Sequence, residues 1–372
     1  MIARPHQDLR PRHSMGSSPR FLAALTTTCL VLAGCIPSLP SFSGPNDPPA
    51  QATQTTREKD LGKAETEPSA AAPLIREATD LAKQGKLEAA ITLLDRAVET
   101  DPGFAPALFN RGLVREMRGE PNQATTDYQA ALRADPGYTR AAVNLGGLLL
   151  RQGNPKEAMS VFDRAVEQDP ENASLLYSRG VVRARLEHYD KAIADFNRAL
   201  EADPGLAEAY VNRGLAWNEK GYDHWAVQDY SRAIELDSNL AEAYLHRGIA
   251  FRKQGRMDRA LADFNQALKA DPALPAAYLY RGLILSVRGE HDAAIADYTQ
   301  VLKHVPQSEA ALFSRGRVFH ERGDYEQAIQ DYTRAIEINP RLKAAYQYRG
   351  LAFQASGQAE RAQADFKRAE SF

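Results

Sequence analysis

Histidines, cysteines and carboxylates are the side chains best able to run chemistry near neutral pH. Their spacing in this chain assembles no reaction centre. His188, His224, His246, His291, His304 and His320 are scattered, matching no Ser-His-Asp arrangement and no metal-ligand set. Cys29 and Cys35 are the two cysteines, both near the N-terminus, too few for a disulfide framework or a cysteine zinc site. The 48 Asp and Glu against 46 Lys and Arg leave a formal net charge of -2, without the basic stripe of a nucleic-acid binder. The carboxylates therefore read as solvated helix faces. A non-enzyme needing no cofactor and no metal is the expectation.

One cysteine does stand in a meaningful setting. Arg4, Arg10, Arg12 and Arg20 precede an apolar run from Phe21 to Ala33. That run falls short of the roughly 20 apolar residues of a spanning helix and reads as a secretory signal over 1–34. Met15 begins a compact version of the same signal. The run ends Leu32-Ala33-Gly34-Cys35, which resembles the lipobox of bacterial lipoproteins. The resemblance implies lipidation of Cys35 and loss of everything before it, Cys29 included. With Ile36 rather than an aspartate next, it also implies the outer membrane, facing the periplasm, in preference to the inner. Residues 35–70 are rich in Pro, Ser, Thr, Gln and Ala and read as linker. Such a linker averages roughly 35 Å end to end and reaches about 120 Å when extended.

A second pattern pairs opposite charges. Pro102, Pro136, Pro170, Pro204, Pro272, Pro306 and Pro340 fall on one 34-residue grid, interrupted by Ser238. The grid sets nine units over 71–372, starting at 71, 105, 139, 173, 207, 241, 275, 309 and 343. The seventh residue is Arg in seven units: Arg111, Arg179, Arg213, Arg247, Arg281, Arg315 and Arg349. The twenty-third is Asp in the same seven: Asp127, Asp195, Asp229, Asp263, Asp297, Asp331 and Asp365. The third unit replaces both, with Leu145 and Val161; the first has Glu77 and Leu93. The expectation is a structural ion pair inside each unit. An arginine ladder gripping an acidic ligand is the alternative, weakened because the aspartates would neutralise it.

These charges need two helices to carry them. Each unit has a glycine at position 8 (Ala78 in the first) and alanine at position 20; position 24 is aromatic in all units but the first. Small residues at 8 and 20 let two helices approach, with the aromatic filling the gap. A glycine near position 15 ends the first helix, and Asp-Pro or a relative ends the second. Each pair leaves an apolar face that the next must cover.

Together these residues resemble the tetratricopeptide repeat over about four-fifths of the chain. The resemblance implies an all-α fold: a right-handed superhelical solenoid of about nine helix pairs that binds proteins or peptides in a concave groove of first helices. Carried over by position, that groove comprises Phe109, Asn110, Val143, Asn144, Tyr177, Val211, Asn212, Leu245, His246, Leu279, Tyr280 and Phe313. The other reading of its apolar members is burial by neighbouring units. The clamp of chaperone-tail receptors is matched by Asn110 and Arg140 alone, and that function is rejected. With the lipobox, the array resembles NlpI-type outer-membrane lipoproteins, dimeric adaptors that gather peptidoglycan hydrolases and a protease. That resemblance implies a scaffold recruiting envelope enzymes, with a homodimer among its forms. The alternatives are a pilotin-like lipoprotein assisting secretin, pilus or secretion-system assembly, and a regulatory module of a separate enzyme. No separate polar capping helix is read after the last unit, which ends at Phe372, so the expectation is that its outer face pairs with something.

Overall fold

The computed structural model describes residues 69–372. The expected signal, the expected lipidation at Cys35 and nearly all of the expected linker fall outside the described residues. Within them the chain is helical throughout, in consecutive antiparallel pairs, with no strand. The first helices are α1 (Ala72–Lys83), α3 (Ala105–Met117), α5 (Thr139–Arg151), α7 (Ala173–Arg185), α9 (Ala207–Glu219), α11 (Ala241–Lys253), α13 (Pro275–Val287), α15 (Glu309–Arg322) and α17 (Lys343–Ala355). The second helices are α2 (Leu87–Thr100), α4 (Pro121–Ala134), α6 (Pro155–Gln168), α8 (Tyr189–Ala202), α10 (Asp223–Leu236), α12 (Met257–Ala270), α14 (His291–His304), α16 (Tyr325–Ile338) and α18 (Ala359–Glu370). Each helix packs on its partner and on the next pair, which makes a solenoid without a central core. None of the described helices is long and apolar enough to cross a membrane.

Local chemistry sets the helix ends. Gly221, at φ 80°, and its counterparts stop the first helices in the left-handed region. The fourth unit has no glycine there, and Glu187 takes the same conformation at φ 60°. Seven of the nine second helices end on an acidic or amide side chain, the exceptions being Val305 and Ser371. Asp203 Oδ1 accepts from the Gly205 amide at 2.9 Å, and Asp271 Oδ1 from Ala273 at 2.8 Å. Asp237 does the same with Asn239 at 2.9 Å, so the turn persists where Ser238 interrupts the proline grid.

The two helices of a unit close on one contact. A Cβ added to Gly214 would stand 2.7 Å from Tyr230 Cε1, and one added to Gly248 2.7 Å from Phe264 Cε1. Position 8 is glycine because the ring at position 24 occupies the space a methyl would need. The first unit relieves the same crowding from the other side, pairing Ala78 with Leu94, both buried. Units one to three and part of unit four share one continuous apolar cluster; from the Phe196 ring of unit four onward there are small clusters, each holding one position-24 ring.

Candidate protein-binding interface

All seven Arg–Asp pairs are within hydrogen-bond distance. Arg213 Nε and Nη2 donate to the two oxygens of Asp229 at 2.9 and 2.6 Å, and Arg349 to Asp365 at 2.7 and 2.8 Å. The forks of Arg111, Arg179, Arg247, Arg281 and Arg315 hold their aspartates likewise. Burial raises the Asp229 carboxyl above its ordinary value, outweighing the opposite pull of Arg213. The hydrogen bond to Asp263 raises the Arg247 guanidinium.

The third guanidinium nitrogen leaves the unit. Arg213 Nη1 donates to Asn197 Oδ1 at 2.8 Å, Arg247 Nη1 to Ser231 Oγ at 3.1 Å and Arg315 Nη1 to Thr299 Oγ1 at 2.9 Å. Asp95, Asp163, Asn265 and Thr333 accept from the remaining four. Every one of these acceptors is residue 25 of the preceding unit. The arginine therefore ties its own two helices together and ties the unit to its predecessor. With its donors engaged inward, it offers little to an acidic ligand.

The proposed groove is corrected by burial. Phe109, Asn110, Val211, Asn212, Leu245, Tyr280 and Phe313 are buried, and Val143, Asn144, Tyr177, His246 and Leu279 are half-buried. The cause is the ring at position 24. Residue 5 packs on the ring of its own unit: Phe109 on Tyr128 at 5.8 Å, Tyr177 on Phe196 at 6.1 Å, Phe313 on Tyr332 at 5.8 Å. Residue 6 packs on the ring of the preceding unit: His246 on Tyr230 and Tyr280 on Phe264, both at 5.9 Å. The asparagines at position 6 bond to their own helix, Asn110 to the Pro106 carbonyl at 2.8 Å and Asn144 to that of Arg140 at 3.0 Å. Asn212 bonds to the Glu208 carbonyl at 2.9 Å and to Tyr177 Oη at 3.1 Å. Burial lowers the His246 imidazole to about 4. Position 9 behaves alike: Val181 is 1% exposed, whereas Leu351 in the last unit is 43% exposed.

What the first helices do present lies at positions 12 and 13, and at position 9 in the eighth unit, where Arg317 replaces the usual apolar residue. The Arg252 guanidinium sits 5.2 Å over the Tyr280 ring, and that of Arg317 sits 5.6 Å over Tyr348. Both have a buried Nε without a hydrogen-bond partner, as does His320 Nδ1 nearby on α15. Arg151 pairs with the buried Glu116, which accepts from Tyr128 Oη at 2.8 Å. Lys253 Nζ donates to Asn218 Oδ1 at 3.1 Å. The surface is thus arginine laid over an aromatic floor, not an open apolar trough. Sequence inspection missed Arg252 and Arg317. Their signal was an arginine at a first-helix position one unit before a tyrosine at position 6. A cationic group on a desolvated ring suits carboxylates and aromatic side chains of a bound peptide.

Comparison with known proteins agrees with this architecture. Tetratricopeptide-repeat models match residues 75–138, 118–173 and 144–207, then 225–255, 241–274, 276–308 and 316–357. No curated protein matches the sequence. Among solved structures, a tetratricopeptide repeat protein from Parabacteroides merdae is similar at 23% identity and TM-score 0.50, covering 67% of this chain and 98% of that one. The Pseudomonas aeruginosa pilF structure is similar at 20% identity and TM-score 0.51, over 57% and 96% of the two chains. The APC/C hetero-tetramer Cut9-Hcn1 is similar at 16% identity and TM-score 0.52, over 84% and 63%. These likenesses are of fold.

Proposed function

Because the chain belongs to the tetratricopeptide-repeat family, we propose that it is a non-catalytic scaffold holding partner proteins on its first helices, tethered at the bacterial envelope by lipid on Cys35. The observation that carries the binding reading is the pair Arg252 and Arg317, stacked on rings with a donor left unpartnered. Held over a ring, each guanidinium can turn its outer nitrogens to a ligand carboxylate, which in Arg317 would share them with Glu321, bonded at 3.1 Å on its own helix. The tether reading rests on the Leu32-Ala33-Gly34-Cys35 ending and the linker behind it. Enzymes that remodel peptidoglycan are the partners this reading favours, by the resemblance to NlpI-type lipoproteins.

Two measurements test it. Cross-linked recovery of partners from the envelope is compared between the native chain and Arg252→Glu plus Arg317→Glu. Loss of the wall-remodelling enzymes from the variant's partners is the expected result; identical partner sets place the interface elsewhere. Separately, Cys35→Ser is expected to move the protein from the membrane fraction to the soluble fraction. A variant that stays with the membrane removes the lipid tether from the reading.

A further inference from the structure

The third unit breaks the arginine rule, and the break leaves a space. A cleft of about 480 Å³ opens between α4 and α6, floored by Leu145 of α5. Leu132, Val161 and Ala165 complete its apolar lining, and Gln129, Arg133 and Arg164 stand at its edge. Leu145 and Val161 are the residues that replace the arginine and its aspartate in this unit. Gln129 is residue 25 of the preceding unit, which elsewhere accepts the third guanidinium bond. The cleft therefore occupies the place of the missing guanidinium and its partners.

Its edge carries charge without a counterpart. Arg198 and Arg334, at the position equivalent to Arg164, donate to the carbonyls of Pro170 and Pro306 at 2.7 and 3.3 Å. Arg164 makes no such bond to Pro136, which also lines the cleft. Among the described residues, Arg133 and Arg164 have no ion pair and Gln129 no hydrogen bond, and all three are exposed. Apolar walls with two cations and an amide at the edge complement an apolar body bearing one anionic oxygen group. The volume lies in the range of small-ligand sites, which start at about 300 Å³.

We propose that this cleft binds a small amphiphilic carboxylate, its acyl chain on Leu132, Leu145 and Val161 and its head group between Arg133 and Arg164. The site is independent of the first-helix surface and of the tether. The probe is decanoate, titrated below its aggregation concentration into the full-length protein with leucine and valine methyls labelled. Saturable shifts at Leu132 and Val161 are expected, with a Kd of about 0.1–1 mM. Arg133→Gln plus Arg164→Gln is expected to weaken binding at least tenfold, and 1-decanol to bind at least tenfold more weakly than decanoate. Leu145→Arg plus Val161→Asp restores the pattern of the seven other units, so it is expected to fold and to close the cleft. Its Leu132 methyls are expected to show no saturable shift. Absence of saturable shifts in the native chain, decanol binding as tightly as decanoate, or undiminished binding in the refilled variant each overturns the proposal.

Discussion

Cutting one arginine bridge separates the cost of a stranded charge from the worth of the pair. In the fifth unit, Asp229 has a side chain only 8% exposed and takes two bonds from Arg213, at 2.9 and 2.6 Å. Arg213→Leu leaves that carboxylate buried without its partner, which costs about 3–5 kcal/mol at pH 7. Asp229→Val leaves the arginine fork at 20% exposure, able to turn toward water, so its cost is smaller. The double variant copies Leu145 and Val161 of the third unit and exposes only the Asn197 side chain, which is solvated already. Its expected cost is about 1 kcal/mol or less, giving a coupling of about 2–4 kcal/mol in the cycle. Urea unfolding monitored by circular dichroism is the assay, because guanidinium would screen the pair. Hydrogen exchange of α9 and α10 resolves the unit if the array unfolds in stages. The pH dependence adds a second check. Burial already raises the Asp229 carboxyl, and losing Arg213 raises it further. The folded variant then binds the proton more readily than the unfolded chain, so the excess cost at pH 7 shrinks as pH falls. Single variants each costing under about 1 kcal/mol, with a double equal to their sum, would refute the reasoning.

Glu187→Gly is expected to stabilise the chain by about 1 kcal/mol, since Glu187 holds φ 60°; Gly221→Ala, at φ 80° with nothing within 4 Å of the new methyl, is expected to cost about the same, both read by thermal unfolding. Gly214→Ala forces a methyl to 2.7 Å from the Tyr230 ring and is expected to cost about 1–3 kcal/mol; adding Tyr230→Leu, the pairing of Ala78 with Leu94, is expected to bring the penalty below the sum of the two single changes in the same measurement. His246 is held near 4 by burial, against about 6.5 when unfolded, so its neutral ring favours folding above pH 6.5 and that advantage is lost as pH falls toward 4. His246→Asn is expected to flatten stability across that window in urea titrations at stepped pH; an unchanged slope would assign the acid sensitivity to other groups.

Much of the fold was legible because one constraint recurs in every unit. Gly214 and Tyr230 fill one space, and so do Ala78 and Leu94, which makes the helix pairing readable from residue size. The Arg and Asp columns were readable because both charges vanish together at Leu145 and Val161. The reach of Arg213 to Asn197 was harder to see: residue 25 varies among Asp, Asn, Ser and Thr, sharing an acceptor oxygen and no common shape. The groove misled for a different reason. Phe109, Val211 and Phe313 look like a binding stripe on an isolated helix, but neighbouring rings cover them. Burial by a neighbouring unit is a property of stacking, and position 9 shows its range, from Val181 buried inside the array to Leu351 largely open in the ninth unit.

The arginine shared between units also sets a rule of succession. A unit beginning with Arg at position 7 sits well behind any unit whose residue 25 can accept, whatever the rest of its sequence. Units four to eight meet both conditions and are interchangeable modules, so a copied or deleted 34-residue block among them preserves every bridge. The last unit does not extend this syntax. Its residue 25 is Lys367, and an arginine-bearing unit placed behind it would set a cation against a cation. Growth and loss of length are thus permitted inside the array and resisted at that one junction, which makes binding-surface length adjustable from the middle.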